Sequence, residues 1–385
     1  MRIIHYLKNN LSSSALIRIL KLCLALAILT YSTTLQAQIL RDSTTIGIIT
    51  RGMHDIYNIE FKEAGKAYDA LSQLYPGHPV LHLFNGMKIY WENFPMLSTS
   101  GARSAFEKEM RKCIELSDID NCPSPEYEAE YLLSNICARG LLLLFYSDND
   151  LSGEVIPLVT SSYRPLMRCF NFTSVCPDFY YFTGIYNYYR EAYPIVYPVY
   201  KTVAFMFPSG NIETGLQQLD TCGKHSMALR AEAISILSWI KLNFETNFPE
   251  ALPYSKLLAV HYPSNPLYRV YYIKNLLLLK QYDEAEMVIR TTGKSDANQF
   301  YRAALNIFNG IIQEKKYNNN ELAMNLYQKG INEISVFGAY GNEYAAYGYF
   351  GLSRICEESA DNHERRMNHR KAMDLVDFKK ITFDN

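Results

Sequence analysis

The residues that could do chemistry are few, and each has a plainer use. SDNDLSGE, residues 147–154, places Asp148, Asp150, Ser152 and Gly153 at positions 1, 3, 5 and 6 of a calcium loop. Position 12 falls on Val159, where a bidentate Glu is needed. The stretch therefore reads as an interhelical turn, with Ser152 or Asp150 capping the next helix. HPVLH sets His78 and His82 four apart, a spacing that can hold a metal on one helix face. The catalytic Glu of a zinc protease is absent between them, and Pro79 puts His78 ahead of the helix, so both read as structural. His363 and His369 sit in a charged terminal segment and read as solvent-facing. The chain has no Gly-rich phosphate loop, no G-x-S-x-G and no C-x-x-C. No catalytic residue, metal site or cofactor is expected.

Cysteine offers one more possibility. Seven cysteines follow residue 37, at 113, 122, 137, 169, 176, 222 and 356. Cys113/Cys122 and Cys169/Cys176 each straddle a loop, so these are the pairs to test for disulfides. Buried free thiols are the competing reading. The odd count leaves at least one thiol free either way.

The elements around these residues begin after an unusual start. Arg2, Lys8, Arg18 and Lys21 are the only charges before Arg41 and Asp42, and LCLALAILT (residues 22–30) follows them. A basic stretch, a short apolar run and a small residue at Ala37 describe a secretory signal peptide over 1–37. An uncleaved anchor is the alternative. Cys23 stands behind Lys21–Leu22, which does not resemble a lipoprotein box. Export to the periplasm or outer envelope of a Gram-negative bacterium follows as the expectation, with no membrane span after cleavage and peripheral association open. The Asn171 sequon matters only in a glycosylating host. Removal of 1–37 leaves 34 basic against 39 acidic side chains, and no basic stripe that would suit nucleic acid.

Residues 38–385 read as a single all-α, tetratricopeptide-like solenoid of helix-turn-helix units with an irregular centre. The 34-residue template wants a small residue at 8, an aromatic at 17, Ala at 20, an aromatic at 24 and Pro at 32. Gly52, Phe61, Ala64, Tyr68 and Pro76 meet all five. Gly86 opens a second unit in phase, so N-terminal repeats span 45–118. C-terminal repeats, 232–376, return with Phe248, Ala251 and Pro263, then Tyr282 and Ala285, then Ala323 and Tyr327. Small residues at 8 and 20 let two antiparallel helices approach, and stacked units bury faces that one unit cannot. The last helix, carrying Arg and His, suits a polar cap.

Between these repeats, 125–244 is helical without clean phase. It contains GIYNYYREAYP and VAFMFPSGNIETGLQQLDTCGKHSMALRAEAISILSWIKLNF. This run resembles the tetratricopeptide-repeat family of the inclusion-body clearance protein and tetratricopeptide repeat protein 39. The matching positions are Gly184, Tyr186, Phe207, Gly210, Gly215, Leu216, Ser226 and Leu229. The likeness covers this central run well and the flanking repeats loosely; a signal peptide is not part of that family's usual pattern, so together with the expected one over 1–37 it implies a distant secreted bacterial relative. It also implies a helical interaction scaffold without catalytic residues.

Two functions follow as expectations. The first is an envelope scaffold that holds a protein or peptide in its groove. The second is a binder of a glycan or apolar metabolite that uses the central aromatics. On a helical projection of FYYFTGIYNYYREAYP (179–194), most aromatics fall on one wide arc and read as core. Tyr180, Thr183, Asn187 and Arg190 form the opposite ridge, which is expected to line the groove and touch the partner.

Overall fold

A computed structural model describes residues 38–292, 298–358, 362–378 and 380–384. The expected signal segment lies outside the described residues. Among these residues there are sixteen helices and no strand. The first repeats are α1 (Ser43–Tyr57), α2 (Phe61–Leu74), α3 (Pro79–Glu92) and α4 (Arg103–Leu116). The centre holds α5 (Glu128–Asp148), α6 (Ser152–Cys169), α7 (Phe179–Val196), α8 (Ile212–His225) and α9 (Arg230–Trp239). The last repeats are α10 (Phe248–His261), α11 (Pro266–Leu278), α12 (Tyr282–Thr292), α13 (Gln299–Lys315), α14 (Asn320–Ile334), α15 (Ala339–Glu358) and α16 (Asn362–Leu375).

Consecutive helices pair, and the first helices of successive pairs stack on one another: α1 on α3, α3 on α5, α11 on α13, and α13 on α15. That is the solenoid pattern the repeat positions predict. Ala64, Ala251, Ala285 and Ala323 are all fully buried at the position where the two helices of a unit cross. Phe61, Tyr68, Phe248 and Tyr282 are half-buried beside them. Tyr75–Pro76 and Tyr262–Pro263 close equivalent units, each with a buried Tyr and an exposed Pro. A Cβ on Gly52 would lie 2.7 Å from Ala67 and from the Phe84 ring, so only glycine lets α1 sit this close to α2 and α3. Gly86 gives the same room to the Met110 side chain of α4. Tyr327 of α14 lies between Gly310 and Gly351, and its hydroxyl donates to buried Glu314 at 2.6 Å. The Arg354 guanidinium meets the same carboxylate at 2.7 and 2.9 Å. Burial pushes Glu314 up, but Arg354 and Tyr327 hold it below the usual carboxylate range.

The centre is irregular in two places. Pro194 does not end α7, which continues to Val196 before the chain turns at Pro198. Pro194 deletes one N–H in the last helical turn, where the loss is tolerated. After α9 the chain widens into a π-helix over Ile240–Phe244.

The stack then closes on itself. Asn265 Nδ2, at the start of α11, donates to the carbonyl of Tyr57 at 2.7 Å, and Ser264 N donates to Asn58 Oδ1 at 2.9 Å. His54 Nε2 lies 3.1 Å from the carbonyl oxygen of His261. The α3–α4 loop enters the C-terminal repeats. Its Phe94 ring meets Phe300 and Tyr340 edge-on, and Met96 beyond it is fully buried. Asn298 Nδ2 donates to Phe94 O at 2.9 Å, and the Tyr340 hydroxyl donates to Met96 O at 3.3 Å. One continuous apolar core therefore includes side chains from both ends of the chain.

Candidate functional site

The ridge expected to face a partner is packed inside. Thr183 is fully buried, and its hydroxyl donates to Phe179 O. Asn187 is buried, with Nδ2 donating to Gln218 Oε1 of α8 at 2.9 Å. Arg190 donates from Nε and Nη2 to the carbonyl of Phe207 at 3.3 and 3.2 Å. Tyr180 is half-buried against the main core. The reason is Gly184, on the same side of α7. A Cβ at Gly184 would sit 2.9 Å from Leu219 Cγ, and one at Gly215 would sit 2.7 Å from Tyr188 N. The paired glycines pull α8 onto this side, and the polar ridge becomes the seam between the two helices. A Cβ on Gly210 would fall 2.5 Å from Asn187 O, so three of the glycines behind the family resemblance are accounted for by close packing.

The opposite, aromatic arc is also covered. Phe179, Phe182 and Tyr188 are buried. Tyr189 meets Trp239 and Phe244 of the π-helix, and burial pushes the Tyr189 hydroxyl far up. The aromatics of α7 thus do not surround a cavity. The cavities described lie elsewhere. One crevice of about 40 Å³, room for about one water, runs from Ile39 to Leu229 past His78. A second, of about 370 Å³, opens between α4, α5 and α6 with Arg111, Arg139 and Glu154 at its edge.

Neither disulfide is formed: Cys113, Cys122, Cys169 and Cys176 are free thiols. Cys113 Sγ donates to Ser134 O across the α4–α5 interface, whereas Cys122 Sγ turns to Ser124 O in its own loop. Cys169 Sγ bonds back to Pro165 O along α6, while Cys176 Sγ donates to Asp178 Oδ2. Spacing around a loop placed each pair nearby without aiming the thiols at one another. Burial pushes the Cys113 and Cys169 thiols up to about 12.

The two calcium-loop aspartates diverge. Asp150 stands exposed in the turn with φ 56°, while Asp148 is turned inward toward Tyr340. Burial pushes Asp148 up to about 7, and the Tyr340 hydroxyl offsets part of that rise. The expected cap is also absent, since Leu151 occupies the N-cap of α6 without a side-chain bond. His78 is the N-cap of α3, accepting from Val80 N, and its other ring nitrogen lies 3.6 Å from Glu130. His82 pairs with Glu109 at 2.7 Å, so the two histidines serve different carboxylates. Among the described residues no group of three or more His, Cys, Asp or Glu is placed to hold a metal.

Two features escaped the sequence reading. Asp178, fully buried just before α7, accepts from the backbone N–H groups of Met227, Ala228 and Leu229 at 3.0, 2.9 and 2.9 Å. It caps the turn entering α9 from fifty residues away, and no local motif signals such a cap. The other is an apolar arm. After α7 the chain leaves the body through Pro198–Tyr200 and a short helical turn, Lys201–Ala204, and these turns pack chiefly on α7 and each other. Eight large apolar side chains between Tyr193 and Phe207 are exposed. Its return is fixed at the base, where the Tyr186 hydroxyl donates to Pro208 O and Glu191 accepts from Gly210 N.

No helix among the described residues is long and apolar enough to cross a membrane. Compared with family models, curated proteins and solved structures, the chain matches none, so the fold and the surface just described are the ground on which its function is argued.

Proposed function

We propose that the protein is a non-enzymatic, exported helical-repeat scaffold of the cell envelope, and that it holds its partner on its outer surface. The observation that carries this reading is the arm at 193–207. Contiguous exposed apolar surface of this kind marks interaction sites in soluble domains. The first helices α13 and α15 are engaged by the chain's own Phe94–Met96 loop, through Phe300 and Tyr340. The basic and apolar N-terminal segment supports export, and the resemblance of the central run to a scaffold family supports a binding role. The packed state of the α7 aromatics leaves the glycan or metabolite reading without a specific support.

The test is retention of the purified full chain on an envelope fraction. Phe205→Ser with Met206→Ser removes two exposed apolar side chains without touching the core. The pair is expected to lower retention about tenfold or more while leaving the melting temperature unchanged. Equal retention of wild type and variant would refute the assignment of the contact surface.

A further inference from the structure

The chemistry of the arm narrows what it contacts; this step rests on the reading of the arm as the contact surface. Four side chains project most: Phe205 is 90 % exposed, Met206 81 %, Val199 79 % and Ile195 69 %. They stand on a protrusion. A rigid protein partner would need a matching pocket for them, whereas a lipid interface deforms around inserted side chains. Tyr193 packs against Tyr197 and Tyr200 with tilted rings, their centroids 4.8 and 5.2 Å away, at the root of the arm. Tyrosine at the base of an apolar tip suits the headgroup layer, where a ring is half in hydrocarbon and its hydroxyl stays wet.

The surface continues onto α6. Tyr163 meets the Phe207 ring at 5.2 Å, and Ile156 and Val159, exposed on the same helix face at i, i+3, i+7 spacing with Tyr163, extend the apolar area. Charge points the same way. Residues 155–177 and 192–212 contain no Asp or Glu. Within them Arg164 and Lys201 are exposed and have no acidic partner among the described residues, whereas Arg168 is paired with Glu128. Asp377 lies near Tyr193 and Tyr197, at the root of the arm rather than its tip. An apolar tip flanked by unpaired cations, with acids excluded from both segments, complements an anionic lipid surface.

We propose that the arm at 193–207, together with the outer face of α6, inserts into the interface of a membrane bearing anionic headgroups and holds the protein flat on it. The probe is a set of vesicles of phosphatidylethanolamine with or without phosphatidylglycerol, read by amide hydrogen exchange of the arm in the full chain. This readout follows 193–207 itself and is independent of any vesicle binding by residues 1–37. Exchange at 193–207 is expected to slow about tenfold on phosphatidylglycerol vesicles and to return to the free rate in Phe205→Ser/Met206→Ser. Arg164→Ala and Lys201→Ala are each expected to weaken binding to the anionic vesicles about fivefold and to change nothing on the neutral ones.

No slowing on anionic vesicles would overturn the proposal. So would slowing that the double serine variant retains, or slowing that rises with protein concentration without vesicles, which would mean that a second copy covers the arm. The failures separate. If vesicles leave the arm unprotected while the serine variant still loses the envelope fraction, the lipid assignment falls and the scaffold stands with a protein partner. If the variant keeps the envelope fraction, the contact-surface reading itself falls.

Discussion

Asn265 reaches across 208 residues to the carbonyl of Tyr57 at 2.7 Å, with both groups sealed from solvent. That bond is donated by Nδ2, while the oxygen of the same side-chain amide accepts from Leu267 N and starts α11. One side chain therefore caps a helix of the C-terminal repeats and fastens the N-terminal repeat to it. Asn265→Ala removes the cap and strands a buried carbonyl, so it should cost about 2–4 kcal/mol. Urea unfolding followed by far-ultraviolet circular dichroism checks this. A loss below about 1 kcal/mol would mean that the closure carries little of the stability.

The α7–α8 seam makes a sharp prediction about glycine. Gly215→Ala drives a Cβ to within 2.7 Å of the Tyr188 amide and 2.8 Å of Gly184 O, both backbone atoms that cannot step aside. It should destabilise by about 1–3 kcal/mol. Gly65 lies inside α2 with nothing near its would-be Cβ, so Gly65→Ala should stabilise by about 0.5–1 kcal/mol. The opposite signs of these two Gly→Ala changes, read from melting curves, test the packing rather than the composition.

The polar ridge of α7 should behave as core. Tyr180→Ala with Arg190→Ala should lower stability by at least about 2 kcal/mol, since the pair loses packing and frees the carbonyl of Phe207. A partner-contact ridge would instead leave the melting temperature where it was. Thermal unfolding separates the two.

Asp148 predicts a pH dependence. Burial against Tyr340 pushes its carboxyl up to about 7 from its ordinary 3.8. The native state thus holds this proton more tightly than the unfolded chain does. The contribution is present below pH 4 and is lost as pH rises through 7. Asp148→Asn cannot ionise, so it should be more stable than wild type at pH 8, with the difference shrinking toward pH 4. A difference that does not change with pH would mean that Asp148 stays ionised in the folded protein.

Local rules and long-range fit divide what the sequence could tell. Ala64, Ala251, Ala285 and Ala323 were readable as helix crossings because each acts within its own pair, a few tens of residues apart. Ionisable clusters read as structural fell out the same way, with His78 a cap and His82 an ion pair. The α7 ridge was misread because a projection counts which side is apolar and ignores which side a neighbour can reach. Two glycines decided that, and glycine adds nothing to an apolar arc. The thiols were misread for a related reason, since proximity along the chain does not set the direction of Sγ. Asp178 and the closure through Phe94 and Asn265 depend on partners from 49 residues away (Met227 to Asp178) to 244 (Tyr340 to Met96), beyond any local pattern. The arm between α7 and α8 matches no repeat position, and only its exposure in the fold made it a surface.

Closure also constrains how this chain can change length. An open stack can gain or lose a unit at its end, since each unit answers only to its neighbour. Here the Tyr57–Asn265 clasp and the Phe94 plug must meet their seats, so the helices between them span a fixed arc. Inserting one helical hairpin at residue 210 would rotate one seat away from its plug. Repeat number in this protein is thereby counted by the clasp, and variation in length is confined to what leaves the arc, such as the arm, and to α16 beyond the last seat.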